Sequence, residues 1–101
     1  MSESLTRTAF AACLDTEFIV VDNPAAPFAL RLTQVNEGYA NAGWDTFSLL
    51  FRGPADRFLP QATWRLKHEQ LGEFDIFLVP VGQDKSGFDY EAVFNRMLPS
   101  S

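Results

Sequence analysis

From Phe47 to Phe94 the chain alternates apolar and polar residues in four runs, separated by Gly, Pro, Asp and Ser clusters. A period of two is the signature of strands with one buried face. Residues 45–52 place Phe47, Leu49 and Phe51 inward, and Gly53-Pro54 ends that run because proline has no N–H to donate. Residues 63–68 set Trp64 and Leu66 against Thr63, Arg65 and Lys67. Residues 73–81 are apolar on both faces from Ile76 onward, which predicts a strand covered on both sides. Residues 88–96 turn Tyr90, Ala92 and Phe94 inward. Of the links, 69–72 and 83–87 are short and hydrophilic, and Phe58 and Leu59 in the 55–61 connection are expected to cap one end of the core.

The first half is patterned more loosely. Phe10, Cys13 and Leu14 share a helical face behind Thr6 as N-cap, predicting a short helix over about 7–14. So few turns need an apolar surface to dock on. Residues 17–21 (EFIVV) are β-branched and aromatic, and the Pro-containing segment 22–27 is turn chemistry. Residues 28–34 alternate again through Phe28, Leu30 and Leu32, and 36–43 (NEGYANAG) is a polar loop. The reading is a mainly β single domain over 1–101: one short helix, then a six-stranded antiparallel meander over about 17–97. With links this short, consecutive strands are expected to pair. Large inward side chains require the sheet to roll into a small barrel or tight sandwich, with the helix plugging one open end.

Composition narrows the partners. Apolar residues make up 47% and charged residues 21%, the profile of a folded domain. A net charge of −5 with dispersed Lys and Arg argues against nucleic acid or an anionic membrane. The lone Cys13 allows no internal disulfide. No secretory signal and no membrane-spanning apolar run is visible, so a cytoplasmic location is the default, with export as part of an assembly left open.

Candidate chemistry is sparse. His68, the single histidine, could act as a general base with Ser48 or Glu69, but no nucleophile elbow accompanies it. The structural reading, a hairpin-end histidine bonded once to backbone, is favoured, and His68→Ala is expected to leave fold and function intact. No metal-ligand spacing and no cofactor motif is present, so no cofactor is expected. Asp84 and Asp89 flank the 83–87 turn and could hold a cation, although solvated turn carboxylates are the simpler account. Arg52 is either an anion anchor or the structural ion-pair partner of Glu73, Asp75 or Glu91, the latter favoured.

The segments Phe51-Arg52-Gly53-Pro54, Leu59-Pro60-Gln61, Leu71-Gly72, Phe77-Leu78-Val79-Pro80-Val81 and Tyr90-Glu91-Ala92-Val93-Phe94-Asn95 resemble an uncharacterised family of small bacterial proteins. The start, Phe10 to Phe18, fits less closely, because the family pattern expects glycine where Asp15 stands. The resemblance implies no defined activity. It implies an accessory or assembly role in the company of tail-collar or tail-fibre-like proteins.

Most of the aromatic residues fill the inferred inner faces, but Tyr39, Trp44, Phe58, Phe77 and Phe88 are left over. The outward set Leu50, Phe77, Val79, Val81 and Val93 is too apolar for open solvent. Tyr39, Trp44, Phe77, Val79 and Val81 are therefore the expected interaction surface. Two function classes follow: a non-enzymatic structural or adaptor protein working through a protein partner or self-association, or a small barrel binding an apolar molecule. The bulky inward residues leave a ligand little room and favour the first.

Overall fold

The computed structural model describes residues 7–23, 27–37 and 44–97. One short helix, α1 (Arg7–Ala11), precedes six strands: β1 (Glu17–Val20), β2 (Phe28–Glu37), β3 (Trp44–Pro54), β4 (Ala62–His68), β5 (Gly72–Asp84) and β6 (Gly87–Met97). Each strand lies where the period-two pattern predicts it, and most run a few residues longer. The strands form a closed, entirely antiparallel barrel in the order β1-β2-β3-β6-β5-β4.

Consecutive pairing holds within β1-β2-β3 and within β4-β5-β6, but β3 does not pair with β4. It pairs along its whole length with β6, from Trp44↔Met97 to Pro54↔Gly87, and β4 closes the ring against β1 through Ile19↔Lys67 and Val20↔Leu66. The fold is thus two meanders joined into a ring. The 55–61 connection explains the departure. Its Leu59 is fully buried, and its backbone N–H donates to the Tyr90 hydroxyl at 2.9 Å. That bond ties the link to β6, the strand that occupies the flank of β3 on which a hairpin partner would have stood.

The helix is shorter than its pattern. After Ala11 the bonds Cys13 N–H to Phe10 O and Leu14 N–H to Ala11 O tighten to three-residue spacing. Asp15 then adopts a left-handed φ of 67°. The tighter turn swings Leu14 outward, so it is exposed while Phe10 and Cys13 are buried. Thr6 lies outside the described residues.

Phe10 does plug one end of the barrel. Its ring lies 5.4–6.2 Å from those of Phe18, Phe47, Phe74 and Phe94. Phe47 and Phe94 stack at 4.8 Å beneath it. Leu30, Leu32, Leu49, Phe51, Leu66, Leu78 and Tyr90 fill the rest without exposed surface. Leu59 closes the far end, whereas Phe58, expected to join it, is half exposed and packs edge-on against Phe88.

Two irregularities shape the wall. β2 shifts register between Leu32 and Gln34, and the intervening Thr33 hydroxyl donates to Leu50 O. β5 shifts between Pro80 and Gly82, a bulge that accommodates a proline without a ladder donor.

Candidate interaction surface

The outer face of β5 carries Phe77 and Val81, 50% and 52% exposed, with Val79 partly exposed between them. Val81, at the register shift between Pro80 and Gly82, stays on this outer side. Register extends the patch sideways: Val79 and Leu50 both lie opposite Glu91, and Val93 of β6, 63% exposed, lies opposite Ser48 of β3. The patch therefore crosses β5, β6 and β3. The expectation that β5 is covered on both faces fails, because α1 enters the barrel end instead of lying over Phe77. Tyr39 falls outside the described residues. Trp44, expected on the interaction surface ahead of the 45–52 strand, is the first residue of β3, paired with Met97.

Arg52 does not meet Glu73, Asp75 or Glu91. Its guanidinium bonds Asp89 Oδ1 at 3.0 Å, Ser86 Oγ at 2.6 Å and the Asp84 carboxylate. Asp89 is its direct register partner across the β3–β6 pair. The cation held between Asp84 and Asp89 is thus the side chain of Arg52 itself. The Ser86 backbone N–H and hydroxyl, followed by Arg52, pull the Asp84 carboxyl down to about 2. Bonds to Asp89 and Asp84 raise the Arg52 pKa in turn. Gly87 completes the turn: a Cβ there would collide with the Gly53 carbonyl and crowd Arg52 Nε. The charged partner of Glu73 and Asp75 is Arg65 of β4, at 3.5 and 3.2 Å.

His68 is buried, with its ring 4.3 Å from that of Phe18. Its Nδ1 accepts the backbone N–H groups of Gln70 (3.0 Å) and Leu71 (3.3 Å), so this nitrogen carries no proton. The neutral ring therefore holds its hydrogen on Nε2, which donates to Thr16 Oγ1 at 2.8 Å; that hydroxyl donates to Cys13 O at 2.5 Å. Burial lowers the pKa of His68, partly offset by Glu69. Both nitrogens are committed to structure, leaving neither free as a general base. Removing this ring would strand three bonded groups and open a void beside Phe18. His68→Ala is therefore a destabilising change, against the expectation from sequence.

Beside the His68 cluster an open groove lies where β1 and β4 meet the exit of α1, lined by Thr16, Ile19, Val21, Lys67, His68 and Gln70 among others. Sequence reading misses it, since its two walls are about fifty residues apart in the chain. Cys13 is a buried free thiol with its pKa raised by burial, 3.6 Å from Gln70 Oε1. Among the described residues no three His, Cys, Asp or Glu side chains converge as a metal site would require. No helix among them is long and apolar enough to cross a membrane.

Among known proteins, the model of a domain of unknown function, DUF6916, matches residues 5–94. No curated protein and no solved structure shows a significant match.

Proposed function

The chain belongs to the DUF6916 family, and because that family is a domain of unknown function, we propose from the surfaces alone that the protein is a non-enzymatic structural or adaptor module. It works through protein–protein contacts within a larger assembly of tail-like or surface type. The contact surface is the apolar face of Phe77, Val79, Val81, Val93 and Leu50.

One observation carries this reading: the interior is packed with fully buried Phe, Leu and Tyr side chains while three large apolar residues on β5 and β6 stay half or more exposed. Burying the still-exposed half of Phe77, Val81 and Val93 against a partner would contribute on the order of 1 kcal/mol each. A filled barrel favours this reading over the apolar-ligand carrier, which would need room inside. The commitment of both His68 nitrogens to structural bonds supports a role without catalysis.

Phe77→Asp is the test. The side chain is half exposed, so the variant is expected to fold, with an unchanged circular dichroism spectrum. It should sediment as a smaller species, or lose the partner that co-purifies with the wild-type protein from its native host. A folded variant with unchanged assembly and unchanged partner binding removes this face from consideration.

A further inference from the structure

His68 adds a polar joint among three segments that the β1–β4 ladder and the Cys13–Gln70 contact also hold side by side. Cys13 belongs to the turn leaving α1, Thr16 to the entry of β1, and Gln70 and Leu71 to the β4–β5 hairpin. The joint depends on a lone pair at Nδ1, toward which two backbone N–H donors converge. On the other side, Nε2–H and the Thr16 hydroxyl form a directed chain ending on a carbonyl. Only the neutral Nε2–H form of the imidazole satisfies every one of these bonds.

We propose that His68 is an acid-released latch: protonation at Nδ1 in mildly acidic solution turns the acceptor into a donor, expels the Gln70 and Leu71 amides, and loosens the β4–β5 hairpin turn, while Nε2–H keeps its bond to Thr16. The proton comes from solvent and takes up the ring lone pair, so only hydrogen bonds are lost. The groove beside β1 and β4 changes with the latch, since Thr16, His68 and Gln70 line it.

The charged and titratable neighbours do not cancel this effect. Cys13 and Asp15 lie on the α1 exit, Glu17 on β1, Lys67 on the same strand, and Glu69 on the hairpin with Glu73 beyond it, across from Lys67. Glu69 favours the charged ring, but burial outweighs it and the pKa stays below the ordinary 6.5. The sign follows. The unfolded chain takes up the proton first, so the latch holds fully above about pH 6.5 and weakens as pH falls toward the lowered folded value.

Two measurements on the wild-type protein decide the matter. Long-range proton–nitrogen spectra of the imidazole should show the Nε2–H tautomer at neutral pH and a midpoint below 6.5. Amide exchange, corrected for its intrinsic pH dependence, should show protection at Gln70 and Leu71 falling relative to Leu49 and Phe51 of β3. The limiting slope is about tenfold per pH unit. An Nδ1–H tautomer, constant relative protection down to about pH 5, or a loss shared equally by β3 would each overturn the proposal. In a folded His68→Gln variant the pH profile should flatten, and a slope that survives there also overturns it. If that variant does not fold, the wild-type spectra and exchange data decide alone.

Discussion

At one end of the barrel Phe10 fills the opening from a helix of five residues, and a neutral histidine ties the surrounding segments. At the other, Leu59 fills it from a connecting loop held by the Tyr90 hydroxyl, and beside it Arg52 grips Asp84, Ser86 and Asp89. The apolar stoppers are alike, but the polar pins respond differently to pH. The Asp84 carboxylate, its pKa lowered to about 2, supports the fold above its ordinary 3.8 and loses that contribution as pH falls through about 2. Tyr90, its pKa raised by burial, stays protonated through neutral pH. Between roughly pH 4 and pH 6.5 the histidine pin therefore weakens, while Asp84 and Tyr90 keep their protonation states. A fold can combine one labile end and one insensitive end simply by choosing which side chain completes the hydrogen bonds.

The comparison is broken most severely at the aromatic plug. Phe10→Ala removes a ring packed among four others and should cost about 3–5 kcal/mol in urea unfolding at neutral pH. The exposed apolar face should be untouched, so any species that still folds keeps its assembly state. A loss under about 1 kcal/mol would mean that the helix decorates the barrel without closing it.

A smaller effect is expected at the opposite pin. Tyr90→Phe keeps the ring but leaves the Leu59 N–H without its acceptor, a loss of about 1–3 kcal/mol. Because no group that titrates near neutrality is removed, the loss should be the same at about pH 7 and about pH 5. A loss that depends on pH across that range would undo the contrast between the ends.

The mildest change should be a gain. Asp15 occupies a left-handed φ of 67°, where glycine carries no steric penalty. Asp15→Gly should leave stability unchanged or raise it by up to about 1 kcal/mol, because strain relief competes with the looser unfolded chain. Asp15→Val should destabilise. A destabilised glycine variant would show that the aspartate side chain contributes more than its backbone strain costs.

Much of this was legible in the residue pattern. The period of two located all six strands, and the bulk of Phe18, Phe47, Phe51 and Tyr90 announced a filled interior. The family resemblance flagged position 15 as a glycine site, and the positive φ there gives the reason. What the pattern hid was pairing across the ring. A seven-residue link from 55 to 61 reads like a hairpin connection, and nothing local says that Leu59 will be drawn to Tyr90. The mistaken partners of Arg52 follow from the same gap, since Asp89 becomes its neighbour only once β3 lies beside β6. The role of His68 was equally out of reach, because Thr16 stands 52 positions away.

The β3–β6 seam also bears on how the chain is made. It joins Trp44 to Met97, and closing the ring further requires Ile19 to find Lys67. Neither pairing can form until a long intervening loop has been drawn in, so the entropy is lost before the contacts repay it. Folding should therefore fall in the millisecond-to-second range of non-local β topologies. During synthesis the β1-β2-β3 meander emerges with one flank of β3 unpaired, and that flank waits for β6, which follows β4 and β5 in the chain. Until then it is an open edge of the kind that recruits other chains. For this interval the unpaired flank of β3 is where association with another chain would begin.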